Sequence, residues 1–417
     1  MQRNFDILMT LPKYILAFSC IITTHFAFGQ LSPMTADSSN KYSVTGDAGL
    51  FSNGLPLELS NKFLYGGEIT TEIKDLAAGK LNGENFLAIE AMGKLNYLSK
   101  PKTIFGVKNA FWGIEVGTQV LSYSSYSDDL FNLVFYGNEP YAGTEINLAK
   151  SSSQTVWFHN IGITGGVILK NIGSFDNLHI SATPSFVSGL LQQDFNLTTG
   201  TFLTEANGES IDGNFIGNYT ASDSLSSAFS PKGYGAKIDL SFVLESKKNK
   251  IGLSISDLGL IAWDNKLNYQ LDTNITFEGI EIEDIFSVQD TLIAVAELQD
   301  STFANSPNKS TVSLPILVAV YFEHKFSDNL VLKNWLKYRL VDNYVPFLMS
   351  QINYNLGNFT GGVSAAYGGY TGLQAGVNLG YNFKVVDVII GGTNVLGFID
   401  QKNQYSQNIY TRVVAKF

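Results

Sequence analysis

Residues 372–383 read GLQAGVNLGYNF, and the alternation within them decides the fold. Leu373, Ala375, Val377, Leu379, Tyr381 and Phe383 fall on one side of an extended chain; Gln374, Gly376, Asn378, Gly380 and Asn382 fall on the other. A strand puts successive side chains on opposite faces, so this segment is apolar on one face and small and polar on the other. The same period recurs along the chain. In 235–245, Ala236, Ile238, Leu240, Phe242 and Leu244 oppose Lys237, Asp239, Ser241 and Glu245. In 89–97, Ile89, Ala91, Leu95 and Tyr97 oppose Glu90, Lys94 and Asn96. In 155–169, Trp157, Ile161, Ile163, Val167 and Leu169 share a face, and in 330–340 Leu330, Leu332, Leu336, Tyr338 and Leu340 oppose Lys333, Lys337 and Arg339.

Alternation also suits a soluble sandwich, so other features must choose between them. The segments run to about 10 residues or more, where globular strands average about 5–6. Aromatics gather near their ends (Tyr97, Phe105, Tyr123, Trp263, Tyr344, Phe383), as a girdle at lipid headgroups requires. Charged residues are 15% of the chain and aromatics 13%, against about 25% charged in soluble proteins. The expectation is an all-β, transmembrane antiparallel β-barrel of about 14 strands, with helical loop or plug segments. Its 417 residues then need not divide into several soluble domains.

The N-terminus reads as an export signal over residues 1–29. Lys13 precedes an apolar run from Tyr14 to Ile22, and Ala27 and Gly29 stand at the expected cut before Gln30. A lipoprotein signal ending at Cys20 is disfavoured by Phe18 two residues before it. Cys20 is the only cysteine, so the chain from Gln30 has no thiol for a disulfide, a metal or a nucleophile. Net charge is −10, and loss of Arg3, Lys13 and Asp6 makes the mature chain one unit more acidic. Without clustered Lys and Arg, nucleic acid is not an expected partner. The expected surroundings are outer-membrane lipid and the barrel-assembly machinery.

Topology follows from placing the C-terminus in the periplasm. The last strand, IYTRVVAKF at 409–417, is amphipathic and ends on Phe417, like the terminal strand of outer-membrane barrels. Connections then alternate between short ones (98–102, 171–175, 246–250, 326–328, 357–358, 385) and a set holding every long one (53–83, 121–154, 191–232, 276–309, 397–406). Short periplasmic turns with long outer loops are the rule for such barrels. A strand over 103–120 is expected, and a bulge at Asp257-Leu258-Gly259. Residues 53–83 read as a helical lid or hatch, because Phe63, Ile69, Ile73, Leu76 and Leu81 recur at near-helical spacing after Ser60, a candidate cap. Residues 276–309 read as a long acidic outer loop: 278–300 carry Glu278, Glu281, Glu283, Asp284, Asp290, Glu297 and Asp300 and no Lys or Arg.

No arrangement of residues points to catalysis. His159, His179 and His324 lie in different strands without ligand spacing, and no nucleophile elbow, zinc-protease motif or phosphate loop occurs. The reading is a non-enzyme with no cofactor and no metal. The pointed features face the lumen: Lys333, Lys337, Arg339, Lys237, Asp239 and Glu115. An unpaired interior charge is costly, so pairing with acids such as Asp239, Glu245, Glu90 or Glu115 is expected, with anion attraction as the alternative. Phe63, Ile69 and Ile73 are candidate gate residues, since an amphipathic segment must bury its stripe somewhere.

Several stretches resemble an uncharacterised family of Bacteroidota outer-membrane proteins: 46–75 (GDAGLFSNGLPLELSNKFLYGGEITTEIKD), 254–265 (SISDLGLIAWDN), 278–286 (EGIEIEDIF) and 391–417. A looser likeness is to the long-chain fatty-acid transporter barrels (FadL-like). It implies 14 strands and an N-terminal hatch, here residues 31–83, although the early Asn-Pro-Ala motif of those barrels is absent. The functional expectation is passive transport or uptake of small molecules, with a small hydrophobic ligand as candidate partner. The alternative is a non-conducting barrel serving as scaffold or docking partner in a surface-assembly or secretion system.

Overall fold

The computed structural model describes residues 40–222, 230–277, 303–305 and 308–417. The export signal and the acidic segment 278–300 lie outside the described residues. Fourteen antiparallel strands close into a ring: β1 (Lys41–Ser52), β2 (Asn85–Ser99), β3 (Ala110–Tyr126), β4 (Ser152–Ile172), β5 (Phe175–Thr204), β6 (Gly233–Glu245), β7 (Asn249–Phe277), β8 (Leu317–Lys325), β9 (Leu330–Arg339), β10 (Val345–Leu356), β11 (Phe359–Gly369), β12 (Thr371–Asn382), β13 (Val386–Gly392) and β14 (Ser406–Lys416). The ring closes where β1 pairs with β14, with Val44 opposite Val413. Closure leaves no exposed strand edge in the wall, which a barrel in hydrocarbon requires.

The outward face carries the apolar half of each alternation. Ile163, Leu336, Leu348, Ile352, Val363, Leu373 and Leu379 are exposed, while Asn378, Gln374, Asn353 and Lys337 on the opposite faces are buried. An apolar exterior around a polar, buried interior inverts a soluble protein, so the wall is transmembrane. No helix among the described residues is long and apolar enough to cross a membrane.

The short turns follow local chemistry. Gly357 adopts φ +59 in the two-residue link between β10 and β11, a conformation that side chains disfavour. Asp257 adopts φ +62, and the β6–β7 register shifts between Ile238 and Leu240, so the bulge expected at 257–259 is present.

Three departures from the sequence reading have local causes. The strand expected over 103–120 starts at Ala110, because Thr103–Ile104 and Val107–Lys108 form their own hairpin around Phe105 and Gly106, both at positive φ. The helical segment expected within 53–83 is two helices, α1 (Leu57–Tyr65) and α2 (Thr71–Ala78), separated by Gly66 and Gly67 at φ +86 and +146. Ser60 therefore sits inside α1, and Pro56 precedes it. The stretches expected as loops 121–154 and 191–232 contain regular structure. A helix α3 (Asp128–Tyr136) begins where the Ser127 hydroxyl accepts from the Leu130 N–H at 3.1 Å. Beyond the rim, β5 and β7 continue upward with the strand Ile211–Ala221 between them.

Residues 40–52 belong to the wall as β1, and α1 and α2 follow at the long-loop end. The N-H of Leu57 donates to the Gln404 carbonyl at 2.8 Å and that of Glu58 to Gln401 at 3.0 Å, which seats α1 beside the start of β14. Leu55, Leu59, Ile73, Ala77 and Phe131 form a buried cluster that joins α1, α2 and α3 into one cap.

Candidate functional site: the closed lumen and its outer vestibule

Inward positions on neighbouring strands place charges at mid-height of the barrel. Lys94 of β2 lies 3.1 Å from Glu115 of β3 and 3.5 Å from Asp239 of β6. Lys237 lies 2.9 Å from both Asp239 and Asp257, and the amide of Gln119 donates to Asp257 at 3.4 Å. The Asp257 backbone N–H donates to Asp239 at 2.7 Å, at the bulge where the β6–β7 register shifts. Lys237 is 3% exposed and Asp257 1%, so this cluster excludes water rather than lining an open channel.

A second crossing lies on the other side. Arg339 of β9 sits 3.0 Å from Glu90 of β2, and these strands are diametrically opposed in the ring. The barrel is thus flattened until opposite walls touch. A ring of about eight strands can be filled by side chains, whereas a round barrel of fourteen would leave a channel.

Above the charged layer the lumen turns apolar. Trp263 packs with Leu121, Val156, Phe158, Val187, Ile261 and Leu314, drawn from β3, β4, β5, β7 and the segment just before β8. Small residues admit the indole: a Cβ on Gly189 would lie 2.6 Å from its ring, and one on Gly233 would lie 3.0 Å away. Towards the short-turn end, Glu245 pairs with Lys250 at 2.8 Å and meets His179 at 3.4 Å.

The candidate residues fall into three groups. Lys237, Asp239 and Glu115 meet in the mid-height cluster. Arg339 pairs with Glu90, one of the acids named from sequence, whereas Lys333 faces Glu323 at 3.9 Å, which was not. Lys337 lies 5.7 Å from the Phe347 ring and lines a cavity with Asp47. The basic residues therefore do not form one cluster: Lys333 sits nearer the short-turn end than Arg339, one strand carrying them at different heights. Of the gate candidates, Ile73 is buried and Ile69 flanks it inside the cap, while Phe63 is half-exposed with its ring 5.8 Å from Phe135. Lys94 and Asp257 escaped the sequence reading as site residues. Lys94 stood on a polar face with nothing to mark its partner, and Asp257 turns inward only through its bulge.

Two cavities adjoin at Tyr344. An outer vestibule of about 900 Å³ is lined by Asn53, Phe86, Asn343 and Tyr344 among others. An inner cavity of about 60 Å³ lies against Glu90, Arg339, Lys337 and Tyr370. Tyr344 lines both and forms their shared wall. Among the described residues, no group of three or more His, Cys, Asp or Glu is placed to hold a metal ion.

Comparison with known proteins gives one family and several shapes. The model of a "Family of unknown function (DUF5723)" matches residues 59–392. No curated protein matches the chain. Among solved structures, the Ralstonia pickettii toluene transporter TbuX is similar at 9% identity and TM-score 0.43, covering 91% of this chain and 90% of that one. The Pseudomonas putida toluene transporter TodX is similar at 10% identity and TM-score 0.40, covering 94% and 93%. The translocator domain of the Neisseria meningitidis autotransporter NalP is similar at 7% identity and TM-score 0.35, covering 99% and 97%.

Proposed function

The chain belongs to the family of unknown function DUF5723, and we propose that it is a passive outer-membrane channel for small molecules, exported by its N-terminal signal and occluded at rest. The observation that carries this reading is the pair of cavities that meet at Tyr344. A vestibule of about 900 Å³ and an inner cavity of about 60 Å³ share Tyr344 in their linings, and the Glu90–Arg339 pair lies in the wall of the inner cavity. The inner cavity has an apolar wall of Phe51, Met92, Leu317 and Phe347, so cargo with a hydrophobic face fits it.

Planar-bilayer recording tests the reading. The intact protein is expected to be silent or to open rarely. The double substitution Glu90→Ala and Arg339→Ala, which removes both partners of the crossing, is expected to conduct. Large, steady conductance from the intact protein rules out occlusion. Silence from both proteins, each folded in the bilayer, favours the non-conducting scaffold.

A further inference from the structure

We infer that the inner cavity is a binding site for a small uncharged molecule that has one hydrogen-bonding end and one apolar end. This rests on the channel reading only for its physiological use, because binding is measurable without conduction. The charges on the cavity wall cancel: Asp47 and Glu90 face Lys337 and Arg339. Each of these groups has protein contacts. Asp47 accepts from Asn408 at 3.0 Å, Arg339 meets Glu90 and donates to the Pro315 carbonyl at 3.2 Å, and Lys337 lies by the Phe347 ring. A charged ligand would bring a net charge into a neutral, water-poor space, which is costly.

Tyr370 differs from these groups. It lines the cavity, is 6% exposed, and its hydroxyl has no hydrogen-bond partner. Its ring is fixed edge-on against Tyr344 at 4.9 Å and lies 6.1 Å from Phe51. A buried hydroxyl without a partner is unfavourable, and such groups call for a ligand or a water. The same cavity is also lined by Phe51, Met92, Leu317 and Phe347, so water alone satisfies only part of the space. About 10–15 Å³ of such volume holds one water, so the cavity takes roughly four to six non-hydrogen atoms.

Ligand-observed NMR on the purified protein in detergent tests this, with 1,2-propanediol as the uncharged probe and lactate as its charged counterpart. The diol is expected to receive saturation from the protein and lactate is not. Tyr370→Phe removes one oxygen and is expected to weaken diol binding about 3- to 10-fold, as loss of one hydrogen bond does. Leu317→Trp fills the cavity from its apolar side and is expected to abolish diol binding, which guards against a misfolded first variant. Absence of diol binding, equal binding of lactate, or binding unchanged in both variants overturns the site. A protein that conducts but does not bind diol loses this inference alone; one that binds diol but stays silent when the Glu90–Arg339 crossing is removed loses the channel reading alone.

Discussion

Nε of Arg339 lies 3.0 Å from Oε1 of Glu90, although the strands that carry them stand on opposite sides of the ring. Both side chains are largely removed from water. Removing one partner strands the other as a buried charge, at a cost of about 3–5 kcal/mol. The single substitution Arg339→Ala is therefore expected to destabilise the barrel more than the double substitution with Glu90→Ala. Urea-induced unfolding followed by gel mobility measures it; equal loss in single and double variants would disprove the coupling.

The wall register gives a second prediction. Leu379 is 66% exposed on the outer face, and Asn378 beside it is 3% exposed and bonded to Gln351 at 2.9 Å. Leu379→Cys should react with a lipid-phase maleimide and Asn378→Cys should not. Leu379→Arg should cost about 2–4 kcal/mol if that position sits near the bilayer midplane. The reverse labelling pattern would mean a register slipped by one residue.

The apolar part of the lumen depends on missing side chains. A Cβ on Gly189 would come 2.6 Å from the Trp263 ring, whereas one on Gly165 meets nothing within 4 Å. Gly189→Val should cost about 1–3 kcal/mol through overpacking. Gly165→Ala should stay within about 0.5 kcal/mol of the parent. Thermal unfolding with Trp fluorescence separates the two, and matched losses would remove the packing explanation.

The cap has a pH-dependent latch. Tyr136 of α3 donates to Asp75 of α2 at 2.7 Å, and burial together with this bond pushes its hydroxyl up to about 12. A raised tyrosine favours its neutral form in the folded state. Its contribution is therefore full below the ordinary value near 10 and is lost as pH rises towards 12. Proteolysis at Lys74 should accelerate across that window in the parent. In Tyr136→Phe the rate should show less of this pH dependence; an identical profile would exclude the latch.

The cap core gives a fifth prediction. Phe131 is 2% exposed between α1, α2 and α3. Phe131→Ala should cost the cap about 3–5 kcal/mol of local stability. Hydrogen exchange should then rise in 57–78 and stay constant in β10 to β12. A uniform rise would mean that the cap and the barrel unfold as one unit.

Alternation in the sequence by itself determined the barrel, its strand count and which side chains face inward. That information is local, because one side of every wall strand meets lipid and the period of two records it at each residue. The alternation of short and long connections was likewise visible, and Asp257-Leu258-Gly259 marked its own bulge. Phe63, Ile69 and Ile73 showed that an apolar stripe exists, but the surface that covers it, α3, lay in a stretch without comparable periodicity. Inward-facing charges were visible as a set, yet only the tertiary structure paired them. Arg339 meets Glu90, and Lys94 meets Asp239, across a lumen whose cross-section no single strand encodes. The shape of that section depends on contacts between strands distant in sequence, such as the Glu90–Arg339 pair between β2 and β9.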